Sequence, residues 1–132
     1  MVRPGKRNVR KTKLTTLESQ RAKRACMTDI VEIHVTCPSL DDARELSHVL
    51  IDGRFAACVN IGKEVDSRYV WHGSKECHDE WPLTIKTTAD RFDACAAAIR
   101  EHHPYDTPAI FGFKVDHVDA ATAEWVAEVT KA

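Results

Sequence analysis

Apolar and polar residues alternate in "DIVEIHVTC", where Val31, Ile33, Val35 and Cys37 are separated by Glu32, His34 and Thr36. A period of two over that length predicts a strand with one buried face. The next stretch, "PSLDDARELSHVLIDGR", switches to helical spacing, with Leu40, Ala43, Leu46 and Leu50 on one side. Ser39 suits the N-cap and Asp42 the acidic first turn. Gly53 is expected to take the left-handed position that ends the helix.

"FAACVNI" and "VDSRYVWHG" predict a long second strand. Phe55, Ala57, Val59, Ile61, Val65, Tyr69 and Trp71 share one parity if residues 62–64 form a mild kink or bulge. "GSKECHDE" reads as a polar connection at a hairpin turn, and "LTIKTT" as a third strand. That strand is expected to begin after Pro82, which cannot donate to a ladder. "TADRFDACAAAIREHH" predicts a helix capped by Thr87 or Thr88, with Phe92, Cys95, Ala96 and Ile99 as its apolar stripe. Pro104 disfavours helical geometry at His103, so the helix should stop there. "AIFGFKVD" predicts a fourth strand with Phe111, Phe113 and Val115 inward. "DAATAEWVAEVT" predicts a last helix, capped by Asp119, with Trp125 and Val129 inward.

The order is β-α-β-β-α-β plus a terminal helix. Right-handed helical crossovers over an antiparallel sheet give an α+β, ferredoxin-like fold with the helices on one face. The other face would carry His34, Thr36, Cys58, Asn60, Arg68, Thr84 and Lys86. A second strand that overhangs the domain with Tyr69 and Trp71 on it points to pairing with another subunit.

Composition adds two boundaries. The chain has 132 residues, 43 % of them hydrophobic, which suits one soluble domain. No apolar run approaches the length of a membrane span, and no apolar stretch follows the basic N-terminus as in a secretory signal. Charge is distributed unevenly: up to Ala25 there are nine Lys and Arg against Glu18 alone, leaving ten bases and nineteen acids from Cys26 onward. Residues 1–28 hold few large apolar side chains and are expected to be a basic, disordered extension of a domain covering 29–132. A start at Met27, an idle tail and a binding arm remain open for this segment. It has no aromatic residue for base stacking, so nucleic acid is not an expected partner. Five cysteines, Cys26, Cys37, Cys58, Cys77 and Cys95, without a C-x-x-C spacing, argue against a disulfide framework or zinc ribbon and for a reducing, cytoplasmic setting.

Candidate chemistry centres on "EHHPYDTPAI". His102 and His103 end the second helix, and Cys37 ends the first strand. Since that helix runs antiparallel to the strands, the three can reach one edge of the sheet. Imidazole and thiolate suit copper or zinc. The plainer reading is a helix terminus where His favours the negative end of the dipole. A second ligand-rich stretch, His72, Cys77, His78, Asp79 and Glu80, lacks structural-zinc spacing and reads as a charged hairpin tip. Cys58 and Cys95 read as small core hydrophobes. Asp41 and Asp42 serve a helix start. No nucleophile elbow, Walker loop or dinucleotide-binding glycine pattern occurs, so no enzyme is expected.

Taken in order, "TCP", "AACVNI", "YVWHG" with Glu80 downstream, "IKTT" and "HHPYDTPAI" resemble the CutA divalent-cation tolerance family over residues 29–129. The resemblance implies a ferredoxin-like homotrimer held by its long second strands. It also implies association with copper or another divalent cation, in the response to metal ions. Cys37, His102 and His103 are the implied metal ligands. Some members carry a metal-associated cysteine where this chain has Val35; Cys37 lies two residues on, on the same strand face. The alternative is a trimeric, non-catalytic signalling protein similar to the nitrogen-regulatory PII type. It would bind a small anion in a cleft lined by Arg68, Tyr69, Trp71, Glu80, Lys86 and Tyr105.

Overall fold

A computed structural model describes residues 29–132. The expected basic extension, residues 1–28, and Cys26 lie outside the described residues. The elements are β1 (Ile30–Cys37), α1 (Leu40–Asp52), β2 (Cys58–Ile61), β3 (Val65–Trp71) and β4 (Ser74–Thr88). A 3-10 turn (Ala89–Arg91) then leads to α2 (Phe92–His102), β5 (Phe111–Lys114) and α3 (Ala120–Val129). The strands pair antiparallel in the order β2-β4-β1-β5, and β3 pairs with the first half of β4. This is the α+β, ferredoxin-like arrangement with a C-terminal helix.

The core lies between the sheet and its helices. Ile33, Val35, Leu83 and Ile85 pack against Ala43, Leu46 and Leu50 of α1 and Cys95, Ala98 and Ile99 of α2. Burying each large aliphatic side chain contributes about 1.5–3 kcal/mol. A smaller cluster joins Ile30 to Ala123 and Val126 of α3. Ser39 caps α1 as the sequence predicts, its hydroxyl accepting from the Asp42 amide at 3.0 Å.

Several expectations are corrected. Gly53 has φ −81°, and the left-handed residue is Arg54 at φ 58°. What position 53 requires is space: a Cβ there would stand 2.5 Å from the Phe55 ring. The stretch "GSKECHDE" is not a turn. The turn is His72–Gly73, both left-handed at φ 48° and 80°, and residues 74–80 are the outer half of β4. Nor does the strand begin after Pro82, which sits inside it opposite Thr36. Its carbonyl accepts from the Gly62 amide at 2.8 Å. In a strand one residue's N and O face the same edge, so the absent N–H faces residues 62–64, where no ladder runs.

Residues 62–64 form the expected bulge, and it changes the parity. Ile61 pairs with Leu83 but Val65 with Glu80, so three residues oppose two. The extra residue moves Val65, Tyr69 and Trp71 off the core side, and Trp71 is 50 % exposed.

Phe111 and Phe113 also point outward, 59 % and 52 % exposed. The residue facing the helices is Gly112, paired with buried Ile33; a Cβ there would meet Phe92 at 2.5 Å. Phe113 instead lies tilted against His34 on the helix-free face, ring centroids 4.9 Å apart. On α3 the buried side chains are Ala123 and Val126, while Trp125 and Val129 are exposed. Small residues let that helix sit close to Ile30, so its wide side chains turn outward.

Caps differ as well. Thr88 precedes the 3-10 turn without a side-chain cap bond, and the Thr87 hydroxyl donates to the Phe55 carbonyl at 2.7 Å. Asp119 holds the N-cap position of α3, but its carboxylate accepts from the Thr122 hydroxyl rather than from a backbone amide.

Candidate ligand cleft and the Cys37–His103 pair

The ends of β1 and α2 meet where the sequence places them. Pro104 ends α2 by forcing His103 into extended geometry, φ −80° and ψ 140°. That turn directs the His103 ring to the end of β1, 3.7 Å from the Cys37 sulfur across 66 positions of chain. His103 Nδ1 accepts from the Tyr105 amide at 3.0 Å. Nε2 therefore carries the proton and donates to the Thr36 carbonyl at 2.8 Å. Tyr105, its ring tilted against that of His103 with centroids 4.9 Å apart, donates its hydroxyl to Glu80 Oε2 at 3.0 Å. Cys37, His103, Tyr105 and Glu80 thus lie side by side in one polar cluster.

Burial, then the charges of Asp42 and Glu80, push the Cys37 thiol up to about 12, so it stays protonated at neutral pH. Burial, reinforced by the bond to Glu80, raises Tyr105 well above the usual phenol value. His102, the third expected ligand, is exposed on the last turn of α2 and is not drawn into the cluster.

These residues do not form a ready copper centre. Both His103 nitrogens are engaged, the thiol keeps its proton, and among the described residues no three His, Cys, Asp or Glu side chains group around a common point. The second ligand-rich stretch is divided by the pleat of β4: His78 and Glu80 take one face, Cys77 and Asp79 the other. Cys77 lies 3.2 Å from Asp66. Cys58 is half-buried on the helix-free face beside Asn60 rather than in the core, whereas Cys95 is fully buried.

Above the cluster opens a cleft of about 740 Å³ between the β3–β4 hairpin and the loop of residues 104–109. Arg68, Tyr69, Trp71, Glu80 and Tyr105 all line it. Lys86 does not: it lies on the helix-free face, donating to Asn60 at 2.6 Å. Pairing parity sets Tyr69 and Trp71 on the same hairpin face as Glu80, and Arg68, opposite Cys77, on the other. The Thr36 carbonyl and the loop residues Asp106 and Thr107 were not singled out from the sequence. The bracketing prolines, Pro104 and Pro108, are the signal in the sequence that a turn separates α2 from β5 here.

Among the described residues no helix is long and apolar enough to cross a membrane. Residues 31–129 match the family model described as CutA1 divalent ion tolerance protein. The Thermotoga maritima divalent-cation tolerance protein CutA is 33 % identical over 99 residues, spanning 75 % of this chain and 97 % of that one. Human protein CutA is 32 % identical over 97 residues, or 74 % of this chain; the aligned part is 54 % of the human protein's length. The chain therefore spans about half the length of its mammalian relatives. A crystal structure of the divalent ion tolerance protein CutA1 from Ehrlichia chaffeensis superposes with a TM-score of 0.75 at 31 % identity, covering 80 % of this chain and 99 % of that one. With five ordered motifs, the fold and the family match in agreement, this chain belongs to the CutA1 divalent ion tolerance family.

Proposed function

We propose that the chain serves the cytoplasmic response to divalent cations as a homotrimer that binds rather than transforms its ligand. The observation that supports assembly is uncovered apolar surface. Among the described residues, Val65, Tyr69, Val70 and Trp71 stand exposed on a hairpin paired on one side only, and Phe111 and Phe113 on the helix-free face. Such surface marks an association site, and open strand edges invite pairing with further copies. Light scattering on the full chain should give three times the mass of one chain; the mass of one would defeat the proposal.

Within that trimer, copper is the favoured ion, and Cys37, His102 and His103 are its proposed contacts. The thiol–imidazole pair supplies the donor types copper prefers. The hydrogen-bonded cluster opposes a resident metal, so we propose a transient contact entered through exposed His102. Calorimetric titration with Cu²⁺ tests this: joint replacement of His102 and His103 by Ala should abolish binding, and unchanged affinity would exclude these ligands.

A second reading, a small-molecule-binding regulatory trimer, is supported by the shared cleft of Arg68, Tyr69, Trp71, Glu80 and Tyr105. Ligand-induced thermal stabilisation separates it from metal uptake.

A further inference from the structure

We infer that the cleft between the β3–β4 hairpin and the 104–109 loop takes a small organic cation, an alkylammonium or guanidinium group, seated on Glu80 between the rings of Tyr69, Trp71 and Tyr105. This rests on the second reading above and reverses the charge expected of its ligand.

Glu80 carries the argument. It is only 6 % exposed, yet it lines the cleft. One carboxylate oxygen accepts from the Tyr105 hydroxyl; among the described residues the other has no hydrogen-bond or ion-pair partner. That oxygen lies at the cleft wall, where a donor-bearing cation can give it a charge-assisted hydrogen bond.

The surroundings agree on sign. Asp106 adds a second acid to the lining. The one basic residue in the lining, Arg68, belongs to the opposite hairpin face, its guanidinium 3.1 Å from Asp66. An incoming anion would therefore meet an acidic floor with no basic side chain on the same hairpin face as Glu80 among the lining residues. Three aromatic rings line the same space, and ring faces attract ammonium and guanidinium groups. A volume of about 740 Å³ lies within the range of small-ligand sites.

The test uses the full chain in its native assembly. Butylamine, putrescine and methylguanidine are titrated by calorimetry, with succinate and inorganic phosphate as the anionic arm. The amines and the guanidine should bind and the anions should not. Glu80→Gln keeps an acceptor for Tyr105 but removes the charge, and should weaken amine binding by about tenfold or more. Asp106→Asn, on the loop wall and outside the surface proposed for assembly, removes the second acid and should weaken it by about threefold. Binding of anions alone would overturn the inference while sparing the cleft as a ligand site. Binding of neither class would overturn both. Amine binding indifferent to both substitutions would place it elsewhere and overturn the inference.

Discussion

The two halves of β4 are one strand in two physical settings. Residues 81–88 lie between β1 and β2, with Leu83, Ile85 and Thr87 buried in alternation. Among the described residues, 74–80 pair with β3 alone, and only Glu80 of that stretch is buried. The inner half is held by burial within one chain; the outer half has backbone pairing but almost no apolar burial to stabilise it. A two-stranded ribbon of that kind is marginal by itself, so its stability must come from the loop packed on Glu80 or from other molecules.

Mutations can sharpen this contrast. Leu83→Ala, in the inner half, should cost about 2–5 kcal/mol in a urea titration. Gly112→Ala drives a methyl into Phe92 behind the same layer and should cost about 1–3 kcal/mol by the same assay. Ser39→Ala should cost about 1 kcal/mol by removing the α1 cap. Alkali offers a further probe of the core. Cys37 and Cys95 have thiols pushed from 9.0 to about 12, mainly by burial, so folding favours their protonated forms. Their contribution is complete below pH 9 and is lost as pH rises from about 9 toward 12. Urea midpoints should fall across that window, less steeply when both are replaced by Ala. Val70→Asp, on the outer hairpin, should change the folding of one chain by less than about 0.5 kcal/mol while lowering the assembled mass seen by light scattering. A core-sized loss of stability without any change in mass would erase the distinction between the halves.

The same contrast explains what the sequence made legible. β1, α1 and the inner half of β4 each bury one face, so alternation or helical spacing is written into their residues. The outer half, "SKECHDE", buries almost nothing, and its polar run imitates a turn. Phe111 and Phe113 misdirect for the converse reason: their apolarity suggests burial, but the tight approach of Phe92 reserves the inner side for Gly112. Trp125 and Val129 mislead likewise, because small Ala123 permits the close helix contact.

At the site, topology predicts that Cys37, His102 and His103 reach one sheet edge; Cys37 and His103 meet there, while His102 stays exposed. The proton arrangement on His103 is not legible, since it depends on the Tyr105 amide and the Thr36 carbonyl. A strand-and-helix reading supplies neither.

Pro82 leaves a lasting mark on the molecule. Its missing donor falls opposite residues 62–64, where the pairing of the body sheet ends and that of the hairpin begins. The hairpin departs from a wrist whose bearing is set by one imino acid and one surplus residue. Whatever the arm grips, its reach and angle are decided at that wrist, far from the gripping surface.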